Sequence, residues 1–260
     1  MTPNPITRRF ADLRARNRRA LVCYLTAGHP DEDRSIELLR GVAAAGADII
    51  EVGIPFSDPL ADGPVIQASS QQALAQGMTF DRALALIAKA GVTVPVIIFS
   101  YLNPLLAAGP DALKRAAAAG ASGVLVTDLP VGADPPREAW LGDSRLAFIR
   151  LVAPTTPSDR MAEIAHHGSG FVYLISRLGV TGARAELPPE LPDTVARLRA
   201  ATTLPICVGF GIARPEHAAS VARVADGVVV GSALVEAAGR SVDDAIAFTS
   251  GIRHGLDATL

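Results

Sequence analysis

Two cysteines in 260 residues, Cys23 and Cys207, exclude a disulfide framework and form no CxxC motif. They read as small buried hydrophobes in a reducing compartment, and a cytoplasmic protein is expected. Lysine is as scarce: Lys89 and Lys114 are the only two, and both fall in helical patterns. No lysine stands at a strand end, which removes the nucleophile of a Schiff-base mechanism. No charge of one sign dominates, with a net charge of −2 and a pI near 6.2. That balance argues against nucleic acid or an anionic membrane as the main partner. No apolar run reaches the roughly 18 residues that a membrane-spanning helix needs. Of the histidines, only His29 falls near the predicted active face, and no His/Asp/Glu cluster has metal-ligand spacing, so no metal is expected. No GxSxG or comparable nucleophile motif occurs.

What is present is an alternation of short apolar runs with alanine-rich helical patterns. The runs are Ala20–Leu25, Ile49–Val52, Val94–Phe99, Gly123–Val126, Leu146–Leu151, Phe171–Ile175, Pro205–Val208 and Gly227–Val230. Between them lie helical patterns at Arg34–Ala45, Phe80–Ala90, Asp111–Ala119, Ser158–Ala165, Pro189–Ala200 and Pro215–Val221. Eight such strand–helix units predict an α/β protein with a parallel sheet, of the size of a TIM (β/α)8 barrel. A doubly wound sheet is the alternative, with fewer strands and no closure. The arginine-rich start, Ile6 to Arg19, contains Asp12 and no serine, unlike a transit peptide. Ile6, Phe10 and Leu13 fall at i, i+4 and i+7, which predicts an extra N-terminal helix covering one end of the fold. No linker or second domain is legible, so residues 1–260 are expected to form a single (β/α)8-barrel domain.

The stretch from Ala47 to Pro64, ADIIEVGIPFSDPLADGP, carries the strongest chemical signal. Alternation along a strand puts Ile50 and Val52 on one face and Ile49, Glu51 and Gly53 on the other. A carboxylate buried there without a task is costly. The proline-stiffened loop that follows adds Asp58 and Asp62, so Glu51 and Asp62 look like an acid/base pair. In barrels the chemistry sits at the C-terminal strand ends. Those ends supply an apolar, aromatic pocket: Tyr24, Phe99, Tyr101, Leu125, Leu151 and Tyr173. They also supply glycines at Gly179–Gly182, at Gly209 and Gly211, and at Gly231 with Ser232 before a helix. Glycines admit close approach of an anion, and a helix start aims free N–H groups at it, so a phosphate site is favoured. The loop Ser176–Pro189 is longer than the roughly 2–6 residues usual for such connections. The residues therefore describe a phosphorylated substrate with a flat apolar part, worked on by two carboxylates.

Glu51 to Pro64 with the following Gln67, Tyr173 to Gly182, and Gly209 to Ile212 resemble the motifs of the tryptophan synthase alpha subunit, in order and spacing. The resemblance spans essentially the whole chain and departs at His29 and over Val131 to Trp140. It implies cleavage of indole-3-glycerol phosphate to indole and glyceraldehyde 3-phosphate, with Glu51 as general acid/base and Asp62 binding the indole N–H. It further implies that Glu51 is raised by burial while Asp62 stays ionised. Tyr173 would line the substrate beside Glu51, and Thr181 would sit on a closing lid. Gly182, Gly209, Gly211, Gly231 and Ser232 would hold the phosphate. No cofactor is implied in this chain. The partner is a pyridoxal-phosphate beta subunit in an α2β2 assembly, met by the loops around Pro55, Asp58 and Leu102-Asn103-Pro104. A standalone indole-releasing lyase and another phosphate-binding barrel isomerase are the competing readings.

Overall fold

The computed structural model describes residues 3–175, 188–209 and 211–258. Eight parallel strands follow one another around a closed barrel: β1 (Ala20–Thr26), β2 (Ile49–Gly53), β3 (Val96–Ser100), β4 (Ala121–Val126), β5 (Ala147–Val152), β6 (Val172–Ile175), β7 (Ile206–Gly209) and β8 (Gly227–Val230). The last strand pairs with the first, with Val22 opposite Val229. Closure is therefore complete, and the doubly wound alternative falls. Outside lie α1 (Pro5–Ala15), α2 (Glu32–Ala44), α3 (Pro64–Ala75), α4 (Phe80–Ala90), α5 (Leu102–Ala107) and α6 (Ala112–Ala118). They are followed by α7 (Pro135–Gly142), α8 (Ser158–His166), α9 (Leu191–Ala201), α10 (Pro215–Ala222), α11 (Ser232–Arg240) and α12 (Val242–Asp257).

Strand alternation sorts the apolar side chains into two cores. Val22, Ile49, Ile97, Leu125, Ile149, Phe171 and Val229 pack inside the barrel. Leu21, Leu25, Ile50, Val52, Ile98 and Val208 point outward and pack against the helices. The N-terminal helix closes the bottom of the inner core as its periodicity predicts: Ile6, Phe10 and Leu13 are buried, and Phe10 meets Phe171 with ring centroids 5.7 Å apart. Gly123 admits this plug, because a Cβ there would press on the side chains of Ile6 and Ile149.

A charged clamp sits at the same end. Asp48, 1% exposed, accepts from the Leu21 N–H at 2.8 Å, from Arg9 at 2.6 Å and from Arg253 at 3.0 Å. One carboxylate thus fastens α1, β1 and α12 together.

Strand limits differ from the sequence reading by one or two residues. β3 and β7 begin after Pro95 and Pro205, not at or before them, because proline has no N–H to give to the ladder. Both prolines still serve as acceptors, Pro95 for the Ile50 N–H at 3.0 Å and Pro205 for the Val172 N–H at 2.8 Å. Helices α3, α5, α7 and α12 lie outside the helical patterns read from the sequence. Prolines that read as loop residues are the first-turn residues of α3 and α7, where a missing N–H costs nothing.

Candidate active site

Glu51 enters the barrel from β2, opposite Tyr24 on β1 and Ile97 on β3. It is 1% exposed, and neither carboxylate oxygen has a hydrogen-bond partner among the described residues. Burial with nothing to hold the charge disfavours the anion and pushes the carboxyl up to about 8. At neutral pH Glu51 is a neutral acid.

Asp62 lies on the loop between β2 and α3 and is 7% exposed. Tyr101, at the end of β3, donates its hydroxyl to Asp62 Oδ2 at 3.1 Å and accepts from the Ala61 N–H at 2.9 Å. Gln67 on α3 grips the same loop from the other side, donating to the Asp62 carbonyl at 2.8 Å. Burial raises the Asp62 carboxyl to about 6, with the Tyr101 hydroxyl opposing that rise. It is raised too, yet stays below Glu51, so around pH 7 one acid is charged and the other is not.

Aromatic rings meet in pairs at the mouth of the barrel. Tyr24 and Phe99 meet edge to face at 5.1 Å, and Phe56 packs on Tyr101 at 5.2 Å. Burial, together with the charge of Glu51, holds the Tyr173 phenol well above its ordinary value. Leu125 is fully buried and belongs to the inner packing of the barrel. Room for the two tyrosines comes from glycine. A Cβ on Gly53 would collide with the Tyr24 hydroxyl, and one on Gly209 with the Tyr173 hydroxyl.

On the far side of the mouth, Gly211 follows β7 with φ +91°, a backbone state that needs glycine. Gly231 precedes α11 and accepts from the Leu234 and Val235 N–H groups at 2.9 and 3.0 Å. The Ser232 and Ala233 N–H groups before them find no backbone acceptor among the described residues, as at any helix start. Gly209, Gly211, Gly231 and Ser232 thus gather at the C-terminal ends of β7 and β8. Thr181 and Gly182 lie outside the described residues. Sequence reasoning missed His217, in the first turn of α10, which faces the Gly211 carbonyl at 3.1 Å. A histidine two residues after the helix-opening Pro215 was the available signal.

A closed (β/α)8 barrel with a buried carboxyl, unpartnered among the described residues, inside its mouth has the build of a barrel enzyme. The family described as Tryptophan synthase alpha chain matches residues 10–252. The tryptophan synthase alpha chain of Desulfatibacillum aliphaticivorans is 48% identical over 233 residues, covering 86% of each chain. That of Carboxydothermus hydrogenoformans is 49% identical over 230 residues, covering 87% of this chain and 86% of the relative. Among solved structures, Mycobacterium tuberculosis tryptophan synthase superposes with a TM-score of 0.90 at 36% identity, covering 98% of this chain and 99% of that one. Legionella pneumophila tryptophan synthase subunit alpha gives 0.89 at 35% identity, covering 99% and 100%. The chain belongs to the tryptophan synthase alpha chain family. It is a carbon–carbon lyase acting on indole-3-glycerol phosphate.

Proposed function

We propose that the reaction is a retro-aldol cleavage in which Glu51 shuttles one proton and Asp62 holds the indole. Neutral Glu51 protonates the ring carbon that bears the glycerol phosphate chain. Ionised Asp62 accepts the indole N–H and offsets the positive charge that spreads onto the ring. The Glu51 carboxylate then takes the proton of the side-chain hydroxyl. The carbon–carbon bond breaks, its electron pair returns to the ring, and the hydroxyl carbon leaves as the aldehyde of glyceraldehyde 3-phosphate. Glu51 ends protonated, as it began. The observation that carries this reading is the buried Glu51 carboxyl, without a partner among the described residues and raised to about 8.

Tyr24, Phe99, Tyr101 and Tyr173 frame the flat ring above Leu125, and Gly209, Gly211, Gly231 and Ser232 receive the phosphate, with Thr181 and Gly182 completing the site. The whole chain, 1–260, works as one barrel unit in the cytoplasm. Its partner is a tryptophan synthase beta subunit in an α2β2 assembly, and pyridoxal phosphate belongs to that subunit alone. The rim of the mouth supports a docking role: Leu60 is 90% exposed at the tip of the Asp62 loop. The start of the same loop borders a cleft of about 450 Å³ lined by Pro55, Phe56, Met78, Asn103 and Pro104.

The test is indole release by the wild-type chain and Glu51→Gln, alone and with a beta subunit. We expect Glu51→Gln to abolish turnover while substrate binding stays within about twofold. Equal loss of binding and turnover would make Glu51 a structural residue. Wild-type turnover should rise when the beta subunit is added, and indifference to it would favour the standalone lyase.

A further inference from the structure

His217 sits on the outer side of the phosphate loop, 6% exposed, in the first turn of α10. Its Nδ1 lies 3.1 Å from the Gly211 carbonyl oxygen and 3.4 Å from the Ala213 N–H. Its Nε2 lies 3.1 Å from Nη2 and 3.4 Å from Nε of Arg214. These contacts decide which ring nitrogen carries hydrogen. A guanidinium only donates, so the Nε2 facing it must present a lone pair. A hydrogen on Nδ1 then donates to the Gly211 carbonyl, the shorter of the Nδ1 contacts among the described residues. We propose that His217, locked in this tautomer by Arg214, is a positioning residue for the phosphate of the substrate.

The argument runs through the peptide that joins Gly211 to Ile212. Its carbonyl and N–H point in opposite directions across a planar trans unit. Anchoring the carbonyl on α10 therefore turns the Ile212 N–H away from α10. Gly211 adopts φ +91°, and a Cβ there would meet nothing within 4 Å among the described residues. A glycine free of steric restraint samples several backbone states, and a fixed hydrogen bond to its carbonyl selects one of them. Donors held in place before the ligand arrives lose less freedom on binding, so the benefit appears as anion affinity. No atom of His217 needs to touch the phosphate.

This inference deepens the proposal that the phosphate sits at the ends of β7 and β8, and its test separates the two. Binding of glycerol 3-phosphate is titrated calorimetrically against the wild-type chain, His217→Gln and His217→Ala, and KM and kcat for indole-3-glycerol phosphate are measured alongside. We expect His217→Ala to weaken glycerol 3-phosphate binding about tenfold and to raise KM with kcat nearly unchanged. His217→Gln, whose amide N–H can replace Nδ1–H, should stay within about twofold of wild type. If the wild-type chain binds no glycerol 3-phosphate, the phosphate site itself is misplaced. If wild type binds and His217→Ala binds equally well, only the role of His217 is overturned. Should His217→Ala fail to fold, nitrogen NMR of the labelled imidazole in the wild-type chain decides the matter. An Nδ1–H ring supports the proposal, and an Nε2–H ring refutes it.

Discussion

The Tyr101 hydroxyl and the Asp62 carboxylate, 3.1 Å apart, form the joint that fixes the loop after β2 over the mouth of the barrel. The same oxygen accepts from the Ala61 N–H, so one phenol sets both the backbone and the side chain of that loop. Removing it in Tyr101→Phe leaves a fold packed around an unchanged ring. It takes away the group that opposes the rise of Asp62. We expect kcat/KM to fall roughly tenfold or more, the worth of a hydrogen bond to a charged group. The acid limb of its pH profile should move upward from about 6. An acid limb that stays in place would detach Tyr101 from the ionisation of Asp62.

Glu51 makes folding and activity depend on pH in linked ways. Its carboxyl has an ordinary value of 4.5 in the unfolded chain and is pushed up to about 8 in the native one. Between those values the native chain keeps a proton that the unfolded chain has released. The stability present below the unfolded value is therefore lost as pH climbs through the native one, at up to about 1.4 kcal/mol per pH unit. Glu51→Gln cannot titrate, so it should lack this slope and outlast the wild type in urea at pH near 8. Parallel stability–pH curves for the two chains would contradict burial of an unpaired carboxyl. For the wild type, kcat/KM should also decline above pH of about 8 as Glu51 loses the proton it donates.

Gly209 and the Tyr173 ring share one volume at the top of β6 and β7. Gly209→Ala places a methyl group where the phenol oxygen sits, and a strand cannot swing aside inside a closed barrel. Overpacking of this kind costs about 1–3 kcal/mol. We expect a lower unfolding midpoint and a raised KM, because the displaced ring moves into the substrate pocket. A variant with the wild-type midpoint would show that Tyr173 has another place to go.

Asp48 separates stability from activity. It is buried at the bottom of the barrel with Arg253, itself 7% exposed, while Arg9 is a third exposed. Asp48→Ala takes this partner from Arg253, which keeps Asp257 at 2.7 Å, and leaves the Leu21 N–H without its acceptor, so it should cost about 1–3 kcal/mol. The exposed Arg9 contributes little to that loss. KM for indole-3-glycerol phosphate should not change, because the clamp lies at the end of the barrel opposite the strand ends that carry Glu51. A KM effect at a temperature where the variant is fully folded would tie the two ends together.

The order of strands and the identity of the acids were legible in the chain itself. Both are written in local terms. Period-2 alternation placed Ile49 and Glu51 inward and Ile50 and Val52 outward, and the helical spacing of Ile6, Phe10 and Leu13 marked the plug. The loop motif running to Asp62 and the glycines after β7 and β8 were visible for the same reason. Helices α3 and α7 were hidden although each opens on a proline as α10 does, because few large apolar side chains mark a buried face: α3 buries Ile66, Ser69, Ser70 and Ala73, and α7 buries Leu141.

What the tertiary structure alone decided are the pairings between distant parts of the chain. Tyr101 lies 39 residues from Asp62, and Arg253 lies 205 from Asp48. No spacing rule links such positions. Closure of β8 onto β1 brings the Asp48 clamp together, and the twist of the barrel points Glu51 into a space where the described residues offer its oxygens no partner. The sequence determined which groups face inward, since that follows from the backbone period. How acidic each group is depends on the water and charges that the finished barrel removes or brings near, so only the folded chain set Glu51 above Asp62.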